Sequence, residues 1–569
     1  MSNHDSVPDI GRGRRHGGRI LADQLAILGA GKVFCVPGES FLGLLDGLYD
    51  HRERIEVITC RHEGGAANMA DAYGKLTGEP GICAVTRGPG ATNASNGVHT
   101  AFQDSTPMIV LIGQVARSMM DREAFQEMDY RRMFGEMAKW VAQIDDVTRI
   151  PEYLSRAWHV ALSGRPGPVV LALPEDILAE IAEVEDARPV QIGYSAPDPA
   201  AMVQLGEMLA EAKKPMVVVG GPGWSAETAE LAARFSERFD LPVATTFRCQ
   251  DYIDNGHPNY GGVIGIAPLP ELRRKLREEA DLLITIGARF GEMTTQGYTL
   301  IDTPVPQMRF VHVHPGPEQL GHVYAPDLSI VSSPGNFLRA SLDLPVPTLN
   351  WHDWTAGFHS DYLAYLEPTE VPGTLNMGTV IRHLSDTLPD DTIYTNGAGN
   401  YSVWLHRFHA HRGYRTQVAP TSGSMGYAVP AAIAAKLECP DRTVVSVAGD
   451  GCFLMTAQEL ATAKHYGLAV IYLVVNNGMY GTIRMHQERT HPGRVISTAL
   501  TNPDFVAYAG SFGIPGEAVT SDAQIPEALS RARASQDGYL IELRVDPEAL
   551  TPNQSLSAAR KQGEAAQSR

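Results

Sequence analysis

The chain has 569 residues, 44% of them hydrophobic, enough for three or four compact domains with substantial cores. Its formal net charge of −18, with no block of Lys or Arg, excludes nucleic acid or an anionic membrane as the main partner. Six cysteines without CxxC spacing exclude a zinc ribbon or disulfide frame and suit reduced thiols in a cytoplasmic enzyme.

In chain order, residues 1–17 are polar and Gly/Arg-rich, lack the apolar core of a signal peptide and read as a flexible arm. Over 18–180, apolar runs at 32–36, 57–59, 81–86, 108–112 and 169–173 alternate with helical patterns such as 20–28, 63–76 and 92–103. That alternation predicts a parallel α/β sheet. The Glu/Pro/Asp-rich stretch 181–199 reads as a linker, and a second α/β domain over 200–344 carries a predicted strand at 282–286. Its Gly220-Gly221-Pro222-Gly223 turn lacks GxGxxG spacing and reads as structural rather than nucleotide-binding. A loose stretch over 345–372 precedes a third α/β domain, 373–548, and 555–569 reads as a flexible tail. The fold class is therefore α/β, with three doubly wound parallel-sheet domains.

In the third domain, a β-branched run at 443–447 meets Gly449-Asp450-Gly451. A helical pattern of about three turns follows at 456–466, and an apolar run at 468–475 ends in Asn476-Asn477-Gly478. This predicts a βαβ unit, whose right-handed crossover brings Asp450 and Asn477 to the same edge of the sheet. A carboxylate and an amide oxygen converging there suit Mg²⁺, which binds few protein oxygens together with phosphates. The glycines flanking Asp450 leave room for a diphosphate to approach the backbone. Either motif alone is an ordinary turn; together they resemble the thiamine-diphosphate fingerprint, in which the acid and the second Asn ligate Mg²⁺.

The first domain adds Arg61-His62-Glu63-Gly64-Gly65, Arg87-Gly88-Pro89-Gly90, Gly113-Gln114-Val115 and Phe125-Gln126-Glu127. With these, nearly the whole chain resembles the acetolactate synthase and pyruvate oxidase family of thiamine-diphosphate enzymes. The resemblance implies a pyrimidine-binding first domain, a nucleotide-binding-like middle domain and a diphosphate-binding third domain. It makes Glu63 the catalytic carboxyl that bonds the aminopyrimidine and promotes loss of the thiazolium proton, a role that requires water-poor surroundings. It implies cofactor contacts from Gly399, Asn400, Tyr401, Gly423, Gly451 and Cys452, with Met425 wedged beneath the bent cofactor. The Met479 carbonyl would join Asp450 and Asn477 on the metal. It further implies a homodimer or homotetramer with the active site between subunits.

Three segments depart from acetolactate synthases. Met293 stands where they carry an arginine, His486 stands where they carry a tryptophan, and 262–268 lacks their flavin-contacting GMxGMHG. These departures weigh against FAD. Gln126 and His486 are the expected substrate-contacting side chains. Glu39 is expected to cap the following helix, and His406, His409 and His411 to occupy a solvated turn. The expected activity is decarboxylation of a 2-oxo acid with ligation to an acceptor carbonyl. The alternatives are a non-ligating decarboxylase, a flavin-linked pyruvate oxidase-like enzyme, or a silent regulatory subunit, the last opposed by the presence of Glu63, Asp450 and Asn477 together.

Overall fold

The computed structural model describes residues 13–568. They form three parallel sheets of six strands each and divide into two compact units, 1–193 and 194–569, the second containing two of the sheets.

In the first unit the strand order is Glu56–Thr59, Lys32–Cys35, Gly81–Val85, Met108–Gln114, Pro168–Pro174, Trp140–Gln143. All neighbours run parallel. The central strands Gly81–Val85 and Met108–Gln114 are buried along their whole length, which is why they read as unbroken apolar runs. Edge strand Trp140–Gln143 escaped the sequence reading because only Ala142 of its four residues is buried.

Residues 1–12, most of the expected arm, lie outside the described residues. The rest of that arm is fixed in place. Arg15–His16 pairs antiparallel with Ile181–Ala182, and the buried Arg15 guanidinium donates to Asp23 at 2.6 Å and to Asp186 at 3.0 and 3.1 Å. The same contacts anchor the start of the expected linker, where Gln24 also bonds Ala187 in both directions.

In the second unit the middle sheet runs Tyr260–Val263, Val243–Thr245, Pro215–Val219, Leu282–Ile286, Arg309–His314, Leu328–Val331. This is the strand order of dinucleotide-binding folds. The third sheet runs Gln417–Val418, Ile393–Asn396, Val444–Gly449, Ile471–Asn476, Tyr539–Arg544, Gly516–Val519, the same order as the first sheet although no sequence repeat announces it. In this order the chain reverses direction between Ile393–Asn396 and Val444–Gly449. The carboxyl ends of those strands therefore border the crevice where doubly wound sheets bind ligands.

Several expectations in this unit are corrected. The loose stretch 345–372 contains the helix His352–Tyr365, whose Trp354, Phe358 and Tyr362 recur every fourth residue. Tyr362 packs edge-on to Tyr260 of the middle sheet, with ring centroids 4.8 Å apart. The predicted flexible tail is the helix Leu556–Gln567, packed so closely on the helix Gly481–Thr490 that a Cβ at Gly563 would stand 2.3 Å from the Glu488 carbonyl oxygen. Its contact face is Leu556, Ala559 and Gly563, too small to show as an apolar stripe. The three-turn helix expected at 456–466 opens with the 3-10 turn Ala457–Glu459 and runs on directly as Leu460–His465; Thr456 holds the N-cap position and donates its hydroxyl to the Gly426 carbonyl at 2.7 Å.

His406, His409 and His411 are buried, not solvated. His409 lies 4.1 Å from the Tyr394 ring and 4.4 Å from that of His411. Burial drives all three imidazoles well below their ordinary pKa, that of His411 to about 3. Among the described residues, no helix is long and apolar enough to cross a membrane.

Candidate functional site

The crevice of the third sheet opens into a cavity of about 260 Å³. One wall comes from the turn after Ile393–Asn396, with Gly399, Asn400 and Tyr401. Another comes from Gly423 and Met425, and a third from Asp450, Gly451 and Cys452. Asn477, Met479 and the first turn of the helix Gly481–Thr490 close it. Adjacent parallel strands, with Gly449 registered against Val475, place Asp450 and Asn477 at neighbouring strand ends. Tyr401 donates its hydroxyl to the Cys452 sulfur at 3.2 Å, and Asn400 and Thr482 bond reciprocally at 2.9 Å. These bonds tie the cavity walls to one another.

The Asp450 carboxyl is buried and densely bonded. Its Oδ1 accepts from the Gly451 N–H at 2.8 Å, and its Oδ2 from the Gly478 N–H and the Asn502 amide, both at 2.9 Å. Burial pushes its pKa up while these donors oppose the shift. Oδ2 is saturated by two donors, whereas Oδ1 keeps a lone pair. Asn477 Oδ1 accepts the Met479 N–H at 3.2 Å. An all-oxygen set with a single carboxylate fits Mg²⁺ shared with phosphates, and among the described residues no cluster of three or more His, Cys, Asp or Glu offers a softer metal site. A Cβ at Gly451 would stand 2.5 Å from the Tyr480 ring, so only glycine allows this turn.

Sequence reasoning missed Asn502 and Asn476. Asn502 bridges Asp450 Oδ2 and Asn476 Oδ1, and Asn476 in turn donates to the buried Glu542 at 2.7 Å. Asn502 lies on a strand-less segment braced against the Asn477 turn through Leu500 N–H to Gly478 O and Tyr480 N–H to Thr498 O. Nothing periodic marks it. His486 sits on the same helix as the cavity residue Ile483, but it is exposed and does not line the cavity.

In the first unit, Glu63 is the first residue of the helix Glu63–Thr77, capped by the His62 imidazole accepting from the Gly64 N–H at 3.0 Å. Its half-buried carboxylate accepts from Asn93 Nδ2 at 2.9 Å. A Cβ at Gly97 would stand 2.4 Å from Ala67 Cβ, so the helices carrying Glu63 and Asn93 meet in contact. Gln126 is held in a left-handed turn, φ 66°, with its backbone against Gly88. Glu39 is not the cap expected: Gly38 holds the N-cap position without a side-chain bond, and Glu39 is exposed.

The middle-domain glycine turn packs against its own fold. A Cβ at Gly221 would stand 1.9 Å from the Gly287 carbonyl. The Trp224 indole donates to the Gly220 carbonyl at 2.9 Å and the Tyr252 hydroxyl to the Gly221 carbonyl at 2.8 Å. Close approach here serves sheet and aromatic packing. Met293 is exposed.

Three stretches of the chain match domain families in order. They are the N-terminal TPP binding domain of thiamine pyrophosphate enzymes over 15–133, the central domain over 203–341 and the C-terminal TPP binding domain over 397–543. Among curated proteins, the chain is 32% identical to the acetolactate synthase large subunit of Corynebacterium glutamicum, covering 92% of this chain and 86% of that one. It is 30% identical to the acetolactate synthase isozyme 2 large subunit of Escherichia coli, covering 93% and 96%, and 32% identical to the large subunit of Parasynechococcus marenigrum, covering 93% and 87%. With this domain order, these relatives and three six-stranded sheets, the chain belongs to the thiamine-diphosphate-dependent enzymes of the acetolactate synthase family.

Proposed function

We propose that the third-domain cavity binds thiamine diphosphate with Mg²⁺, and that the enzyme decarboxylates a 2-oxo acid and joins the remaining acyl unit to an acceptor carbonyl. The observation that carries this reading is the single cavity lined by Asp450, Asn477, Gly399, Asn400, Gly423 and Met425. When bound, the cofactor supplies a nucleophilic carbon and takes up the electron pair left as CO₂ departs. Asp450, Asn477 and the Met479 carbonyl would hold the metal, with Asn502 orienting the carboxylate. Gly451 and Cys452 line the cavity where the diphosphate would lie, the Gly451 N–H being held by Asp450 Oδ1. Met425, wedged between cavity and core, would pack against the cofactor and hold its orientation.

Glu63 supplies the proton-handling carboxyl. It starts the helix Glu63–Thr77 and accepts from Asn93 Nδ2, which fixes where its carboxyl points. We assign Glu63 of one subunit to the cavity of another, so the working form is a homodimer or homotetramer in the cytoplasm. Gln126 is assigned to the substrate from the same subunit as Glu63, and His486, on the helix whose first turn lines the cavity, to the acceptor. Across the reaction one C–C bond breaks to release CO₂, one forms at the acceptor carbonyl carbon, and the acceptor oxygen takes a proton. No external oxidant enters, and FAD is not part of the proposal.

Incubation with a panel of 2-oxo acids, thiamine diphosphate and Mg²⁺, followed by mass spectrometry, tests the reading. Ligated hydroxy-oxo products are expected. Aldehyde and CO₂ alone would overturn ligation, and no consumption of any oxo acid would overturn the function.

A further inference from the structure

Arg248 has no role in the site described so far, and it holds an unusual position. It follows the middle-sheet strand Val243–Thr245, is buried, and adopts a left-handed φ of 62°. A bulky side chain in that region is strained and persists only where the surroundings enforce it. What enforces it here is the guanidinium. One Nη donates to the Gly397 carbonyl at 2.6 Å, the other donates to the Pro420 carbonyl, and the group lies 4.7 Å from the Phe247 ring.

Both carbonyls stand at the roots of cavity walls. Gly397 precedes the wall of Ala398, Gly399 and Asn400; its carbonyl also accepts from Asn396 at 2.8 Å, and its N–H donates to the Tyr401 hydroxyl at 3.0 Å. Pro420 begins the turn that accepts the Gly423 N–H at 3.1 Å and leads to Met425. The two walls come from separate segments of the third domain. A planar fork of fixed width can bond both acceptors at once, whereas an ammonium is a single point donor.

We propose that Arg248 is a positioning residue for the cofactor. From the middle domain, it ties the Gly397 root to the Pro420 root and thereby fixes the spacing between the wall that takes the diphosphate and the wall that takes the pyrimidine end. A pre-spaced cavity does not have to order these loops on binding, so affinity is the quantity that responds. This inference rests on the thiamine-diphosphate reading.

The test is the thiamine diphosphate affinity of the full-length protein with Mg²⁺, read by calorimetry and by fluorescence of Trp404, which lines the cavity. The apoprotein Tm is measured alongside. Arg248→Lys is expected to bind about 10-fold more weakly and Arg248→Gln about 100-fold more weakly. Gln250→Ala is the control. It removes a bond of similar kind, Gln250 Nε2 to the His406 carbonyl at 2.8 Å, away from the cavity walls. It is expected to lower the apoprotein Tm and leave affinity within twofold.

Wild-type affinity in folded Arg248→Lys would overturn the proposal, as would equal weakening in Gln250→Ala. Failure of both Arg248 variants to fold would also overturn it, by making Arg248 a requirement of the fold itself. Absence of binding in the wild-type protein would instead overturn the functional reading.

Discussion

Asp450 shows how a single residue divides its two oxygens between structure and chemistry. Oδ2 is spent on Gly478 and Asn502, while Oδ1 retains capacity for a cation. Asp450→Ala is expected to abolish Mg²⁺-dependent retention of thiamine diphosphate, checked by gel filtration of the loaded protein. Asn502→Ala leaves the ligand in place but frees its orientation; Mg²⁺ affinity is expected to fall about 10-fold, as for other outer-shell partners, measured by activity against free Mg²⁺. Glu63→Gln keeps the shape of the side chain and removes its titration. Cofactor binding should survive while exchange of the thiazolium proton, followed by NMR, slows by about 10²-fold or more. Of these candidate residues, Asp450 and Asn477 were singled out in the sequence by their glycine-flanked turns, and Glu63 by the family resemblance of the motif around it. Asn502 was not, since its partner is 52 positions away and its own neighbourhood is irregular.

At the level of elements, the helix Gly481–Thr490 connects the cavity to the chain end. Its first turn lines the cavity, and its Glu488, buried on the opposite side, accepts from Arg484 at 3.1 Å and from Arg560 at 2.6 and 2.9 Å. The Arg560 pair, first among the causes, holds the Glu488 carboxyl down at about 2. A depressed carboxylate pKa contributes stability that is present above the unfolded value, near 4.5, and is lost as pH falls through about 2. Arg560→Ala is therefore expected to lower stability at pH 7 by about 1–3 kcal/mol, with the difference from wild type shrinking between about pH 4.5 and 2; urea denaturation across that range checks it. The tail helix escaped the sequence reading because its face of Leu556, Ala559 and Gly563 is small, and its main anchor is an ion pair to a residue 72 positions away.

At the level of the whole molecule, each sheet has six parallel strands, and the first and third share one strand order, but their interiors are not equally apolar. The third carries the buried triplet His406, His409 and His411. A histidine kept neutral by burial has its pKa lowered below the unfolded 6.5. Below that value the unfolded chain gains protons that the folded chain refuses, so stability falls as pH drops. With His411 at about 3, its share of the loss at pH 5 is on the order of 2 kcal/mol. His411→Gln is expected to flatten the decline in Tm between pH 7 and 5, measured by calorimetry; an unchanged slope would show that other groups set the acid limit. The spacing of these histidines suggested a surface turn, and nothing local revealed that Tyr394, Phe247 and Asn255 would enclose them.

The sequence by itself determined the fold class, the order of the three domains and the kind of cofactor. Those are written in strand and helix periodicity and in short glycine-flanked motifs, each complete within a few residues. Tertiary structure alone decided that Asn502 steadies the acid, that Arg248 reaches from one domain to the cavity walls of the next, that the chain end is a packed helix, and that His486 stands outside the cavity. Each of these depends on partners far apart in the chain. Such pairings are set by close packing around the sheets and leave no periodic trace along the sequence.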